Sequence, residues 1–155
     1  MGGGAYGCAM DAIPQIRPIA LAAIRRDDAI LVFEGRDETK GETFYRPLGG
    51  GIEFGESAAE AVRRELREEL AVELSNVELL GVLENIFTAF GRPGHEIVFV
   101  YSADVADPAM YAADDVGHVI DDGSPVMWKS LSRFRDGEAT LYPQGLLGLL
   151  TAGAL

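Results

Sequence analysis

Residues 50–72, GGIEFGESAAEAVRRELREELAV, constrain this chain more than any other stretch. Ser57 followed three residues later by Glu60 forms a capping box, which fixes the start of a helix at Ser57 and predicts it over 57–71. Val62, Leu66 and Leu70 recur at i, i+4 and i+8 and make its core stripe. At roughly 100° per residue, Glu65, Glu68 and Glu69 fall within an arc of about 100° beside that stripe rather than opposite it. An acidic strip bordering the core sits at the edge of a crevice. Like charges one turn apart destabilise a bare helix by about 0.2–0.5 kcal/mol, so the cluster makes sense where a divalent cation neutralises it. Carboxylate oxygens suit Mg2+, which shares its remaining positions with water and phosphate. The alternative is a solvated face paired with Arg63, Arg64 and Arg67.

Pro47-Leu48-Gly49-Gly50-Gly51 precedes the helix, and glycines there let backbone approach a ligand closely. Gly50, five residues, Glu56, seven residues, Arg64-Glu65-Leu66, one residue, Glu68-Glu69, one residue, Ala71-Val72 resembles the Nudix box. The departure is Ala71, where the family has glycine; a left-handed helix end at alanine costs about 1–2 kcal/mol. The flanking YRPLGGGIEFGES and GRPGHEIVFVY segments and a closing helix after LYPQG are also similar to small Nudix hydrolases.

The resemblance implies an α/β/α sandwich with a mixed β-sheet and a loop-helix-loop catalytic motif. It implies that Glu65, Glu68 and Glu69, with the Gly50 carbonyl, hold Mg2+, or Mn2+ in its place. It implies too that one of these acids or a nearby loop acid activates water, and that Glu56 and Arg64 brace loop against helix. The expected reaction is hydrolysis of a diphosphate bond in a nucleoside diphosphate linked to another moiety. The rival reading is a Nudix-fold binding or regulatory protein with weak or no catalysis. A homodimer is compatible with either.

Outside the box, Glu96 is a candidate further ligand or base, against the plainer reading of an exposed acid at a strand start. Arg46 and Arg92 are candidate phosphate clamps because guanidinium binds phosphate oxygens in a fork, and His95 is a candidate phosphate contact. Phe44, Tyr45, Phe54, Phe87 and Phe90 offer a stacking platform, with at most two of them expected in a pocket. Arg64 is also placed to pair with Glu60 one turn back.

At 155 residues the chain fits one domain, expected over 13–155 behind a flexible lead-in at 1–12. A net charge of −12 disfavours binding to a nucleic-acid duplex, which relies on Lys and Arg to release counterions. It leaves a phosphate substrate open, since a bound metal inverts local electrostatics. Cys8 stands alone, which excludes an intramolecular disulfide. The first residues match neither a signal peptide nor a myristoylation signal, and no apolar run approaches membrane-spanning length, so a cytoplasmic protein is expected.

Along the chain, strands are expected at 18–25 and 29–34, joined as a hairpin, then at 43–48, 77–88, 96–103 and 125–129. Residues 35–42 and 89–95 read as loops, 106–122 as irregular, 131–135 as a short turn or helix, and 143–151 as a final helix.

Overall fold

A computed structural model describes residues 13–152; the expected lead-in at 1–12, with Cys8, lies outside the described residues. Strand β1 (Arg17–Arg26) is the spine of the fold, with every residue from Ile19 to Ile24 buried. An unbroken apolar run of this kind is what a strand covered on both faces requires. Ala20, Ala22 and Ile24 face the cluster containing Val62 and Leu66, whereas Ile19, Leu21 and Ala23 face Leu131, Leu146 and Leu150.

β1 turns through Asp27, at φ 53°, into β2 (Ala29–Asp37), with Arg26 opposite Ala29. β2 runs three residues past the expected end because β3 (Glu42–Arg46) pairs with it up to Asp37 opposite Glu42. The loop expected at 35–42 is therefore a turn at 38–41. The glycines also differ from expectation, since Gly49–Gly51 form strand β4 against Ile19, Ala20 and Leu21 of β1. A Cβ on Gly49 would lie 2.0 Å from the Ala20 carbonyl oxygen, so β4 can approach β1 only as glycine.

Helix α1 (Ala58–Leu70) begins at Ser57, whose side chain accepts from Glu60 N while the Glu60 carboxylate accepts from Ser57 N. Glu60 is thereby used in the cap, and Arg64 pairs elsewhere. The helix ends at Ala71 in the left-handed region, φ 57° and ψ 39°, so the strain implied by the missing glycine is present. Ala71→Gly is expected to stabilise the protein by about 0.5–1 kcal/mol, the relieved strain less the extra entropy of an unfolded glycine. Urea denaturation measures this, and a destabilised variant would contradict it.

β5 (Leu74–Ala89) and β6 (Arg92–Val105) form one long hairpin. The loop expected at 89–95 is instead a two-residue turn, Phe90 and Gly91, at φ 56° and 76°. Gly94 marks a close approach, since a Cβ there would sit 2.5 Å from the Phe87 ring across the ladder. β6 runs parallel to β1 from Arg17 opposite Glu96 to Ile24 opposite Ala103, which makes the sheet mixed.

The segment expected to be irregular contains a short 3-10 turn, Pro108–Tyr111, and strand β7 (Asp115–His118). β8 (Pro125–Ser130), α2 (Leu131–Arg135) and α3 (Leu146–Ala152) complete the chain, with α3 starting after Pro143 and not at it. The strand order is β5-β6-β1-β2-β8-β7, with β3 on β2 and β4 on β1. α1 covers one face and α2 with α3 the other, giving an α/β/α sandwich. Among the described residues no helix is long and apolar enough to cross a membrane.

Candidate active site

Arg64 organises the site. Its Nε and Nη2 fork onto the two oxygens of Glu56 at 2.8 and 3.0 Å, and Nη2 also donates to the Gly51 carbonyl at 2.9 Å. Nη1 donates to Glu65 at 3.0 Å and to Glu68 at 3.2 Å. Loop, glycine strand and helix are thus joined through one planar cation. The contact holds the Glu56 carboxyl below the usual range and raises the pKa of Arg64 itself.

The three helix acids do not converge equally. Glu65 is buried beneath Gly50, where a Cβ would come within 2.6 Å of its carboxylate oxygens. Glu69 reaches the same strand and accepts from Gly49 N at 3.0 Å. Glu68 is half exposed and turned to Arg64. Among the described residues no three His, Cys, Asp or Glu side chains form a metal-holding group. Glu65 and Glu69 flank Gly49 and Gly50, while Glu68 shares Arg64 Nη1 with Glu65. Burial raises both pKa values; for Glu69, burial and then repulsion from Glu65 push it up to about 8.

Glu69, Gly49 and Gly50 open onto a cavity of about 380 Å³. Arg17, Arg46 and Glu96 also line it. Glu96 is buried between the two arginines, 3.5 Å from Arg17 and 3.2 Å from Arg46. It is therefore not the exposed strand-start acid of the plainer reading. Asp122 lines the cavity too, on a loop tied to α1 by the bond from Ile120 N to the Glu69 carbonyl, and its charge adds to the upward shift of Glu69. The wall also carries five aromatic residues, Phe33, Phe44, Phe87, Phe90 and Tyr142. Three of the five expected platform aromatics line the cavity, one more than anticipated, whereas Tyr45 and Phe54 do not.

His95 and Arg92 stand apart from this arrangement. His95 alternates with Glu96 along β6, so its ring leaves by the opposite face and meets Glu84 on β5 at 2.9 Å. Arg92 lies at the hairpin tip, opposite Ala89, and is not among the residues lining the cavity. Within the loop expected at 89–95, Arg92 to His95 are strand, paired in the ladder with β5. Sequence reasoning missed Arg17, Asp122, Asp37 and Tyr142. Asp122 carried a signal, as one of two Asp pairs in an acidic segment; Arg17 carried none.

A model of the NUDIX domain matches residues 15–123. The NAD-capped RNA hydrolase NudC of Pseudomonas aeruginosa is 34% identical over 74 residues, 48% of this chain and 26% of that protein. NudC of Klebsiella pneumoniae is 41% identical over 64 residues, 41% of this chain and 24% of that protein. The chain thus spans about a quarter of the length of these curated relatives. Among solved structures, a MutT NUDIX hydrolase from Burkholderia pseudomallei is 29% identical with a TM-score of 0.58, covering 76% of this chain and 85% of that one. A NUDIX hydrolase from Nitrosomonas europaea, 22% identical with a TM-score of 0.63 over 88% and 86%, shares the fold.

Proposed function

This chain belongs to the NUDIX family, and from that premise we propose that it is a Mg2+-dependent pyrophosphohydrolase acting on a nucleoside diphosphate linked to a second group. The observation that carries the reading is the cavity itself, with half-buried Glu69 and the glycine strand on one side and the Arg17–Glu96–Arg46 cluster beside them.

The donor set fits the cation. Mg2+ is commonly bound by one or two carboxylates, with waters and substrate phosphates supplying the rest, and Glu65 and Glu69 provide such a pair. Desolvation holds both toward the protonated form, and repulsion from Glu65 adds to the shift of Glu69, so a bound cation would stabilise their charged forms. When bound, the metal lowers the pKa of water and offsets charge on the phosphate oxygens. Glu69, which lines the cavity, holds its carboxylate toward the reacting group, fixed by Gly49 N–H. Gly50 lets the chain pass over Glu65 where any side chain would collide. Arg46 and Arg17 present guanidinium groups to phosphate, and the carboxylate of Glu96 keeps them at fixed positions. Glu56 and Arg64 hold the loop against the helix.

Metal and proton compete for these acids, with a definite sign. A folded-state pKa of about 8 for Glu69, against 4.5 unperturbed, means that the folded protein binds more protons than the unfolded chain between those values. The contribution to stability is fully present below about pH 4.5 and is lost as pH rises toward 8. Without metal, Tm is expected to fall across that window, and Mg2+ to raise it more at pH 8 than at pH 6. Thermal denaturation checks this; a Mg2+ shift of equal size at both values would contradict it.

The reaction is tested by assaying a panel of ADP-ribose, NAD, nucleotide sugars, dinucleoside polyphosphates and nucleoside triphosphates with Mg2+ and then Mn2+. Cleavage at a diphosphate bond in at least one class supports the reading. Binding across the panel without turnover would favour the regulatory alternative.

A further inference from the structure

We propose that Asp37 is a positioning residue that builds a nucleobase-accepting end of the cavity, by holding the β5–β6 hairpin tip and the β2–β3 turn on one buried carboxylate. The inference rests on the nucleoside-diphosphate reading above and assigns the end of the cavity away from the acids.

That end is aromatic. Phe44 lies at its centre, edge-on to Phe90 at a centroid distance of 6.4 Å and tilted against Tyr142 at 5.5 Å. Two rings are seated over glycine. A Cβ on Gly35 would lie 2.4 Å from the Phe44 ring, and one on Gly94 would lie 2.5 Å from Phe87. Each pair faces across its own ladder, Gly35 opposite Phe44 and Gly94 opposite Phe87. The backbone thereby holds both rings in place while they line the cavity.

Phe90 has no such seat. It occupies a two-residue turn, with φ 56°, and is 39% exposed. Its backbone is held by Asp37, whose Oδ2 accepts from Phe90 N at 2.9 Å across 53 positions of sequence. Oδ1 is used separately: it accepts from Thr39 N at 3.0 Å, from the Thr39 hydroxyl and from Lys40 N at 3.4 Å. A simple turn-forming aspartate would need only the second set. Dividing the two oxygens between turn and tip ties together two cavity walls distant in sequence. Lys40, on the turn, places its ammonium 5.9 Å from the Tyr142 ring centre. The turn and the tip also lie close together, since a Cβ on Gly91 would come 3.7 Å from the Thr39 methyl. Asp37 is 2% exposed, and its hydrogen bonds, led by that from Phe90, hold its pKa below the usual value.

A planar ring is the ligand that such walls receive. Aromatic faces stack on any nucleobase with little regard to its sequence of donors and acceptors, whereas a bare sugar gains little from them. Loosening Phe90 should therefore weaken binding of the base-bearing half of the substrate and leave the phosphate end, at Arg17, Arg46 and Glu96, as it was.

The test is calorimetric binding of AMP, UMP and ribose 5-phosphate to the full chain and to Asp37→Asn, Phe90→Ala and the double variant. The result expected is that Asp37→Asn weakens AMP and UMP by about 5- to 10-fold and changes ribose 5-phosphate by less than about 2-fold. Because Asp37 acts through Phe90, the double variant should bind AMP no more weakly than Phe90→Ala alone. Amide exchange at Phe90 should also accelerate in Asp37→Asn. Equal weakening of all three ligands, or of none, overturns the proposal, as does additive loss in the double variant. If Asp37→Asn does not fold, unaltered AMP binding by Phe90→Ala overturns it, and selective loss of AMP supports it. Absence of turnover in the unaltered protein together with selective loss of AMP would sink the hydrolase reading and leave this one standing. Turnover with no selective loss would do the reverse.

Discussion

Replacing Glu69 by Gln is expected to lower kcat by about 10³-fold while the protein still folds. The amide matches the carboxylate in size and keeps an oxygen able to accept the Gly49 N–H bond, so the packing against the glycine strand persists. What is lost is the negative charge that holds the cation. Metal assistance to phosphoryl chemistry is worth several kcal/mol, and each 1.36 kcal/mol is a factor of ten in rate. The loss should fall on kcat and kcat/KM together, as for an interaction made in the transition state. The repulsion between positions 65 and 69 also disappears, so metal-free Glu69→Gln should depend less on pH between 5 and 8 than its parent. Steady-state kinetics at saturating Mg2+ and a melting curve decide the matter. A rate equal to that of the unaltered protein would remove Glu69 from the chemistry, and a non-cooperative melt would make it a structural residue.

Arg64→Ala should have the largest effect on stability, about 2–4 kcal/mol. The guanidinium is mostly buried and serves Glu56, Glu65, Glu68 and the Gly51 carbonyl together. Removing one partner of a buried ion pair costs about 3–5 kcal/mol, and partial access of water to this side chain reduces the figure. Glu65 would then lie buried without its cation, and the loop from Gly51 to Glu56 would lose its tie to α1. Arg64→Lys should recover only part of the loss, because a single ammonium cannot reproduce the fork onto Glu56. Urea denaturation of both variants measures this. A loss under about 1 kcal/mol for Arg64→Ala, or full recovery by lysine, would show that the network contributes little.

The parts of this molecule legible in its sequence are those whose cause is local. The start of α1 was readable because a capping box acts within four residues, and the β1–β2 hairpin because two apolar runs flank a short polar turn. Helical spacing placed Glu65, Glu68 and Glu69 on one arc but could not say where each side chain turns. Arg64 holds Glu65 and Glu68 together, and the glycine strand lies against Glu65 and Glu69. The glycines misled in two places for one reason. Gly49 read as a place for backbone to approach a ligand and Gly94 as part of a loop, yet each lies in a strand at a point where another group fills the space of a side chain. Those neighbours, Ala20 and Phe87, are known only once the sheet has formed. Asp37 and Arg17 were illegible for a related reason: Asp37 bonds Phe90 and Arg17 meets Glu96, both far away in the chain.

The central claim is that water, activated beside Glu69, cleaves a diphosphate bond held between the acids and the arginines. It is tested most directly by running the panel substrate that turns over in H2(18)O with Mg2+ and following the products by phosphorus NMR and mass spectrometry. The account predicts cleavage within the diphosphate, one atom of 18O in a single phosphoryl product, and no reaction when the metal is chelated. Turnover that survives chelation, or products carrying no 18O, would contradict it.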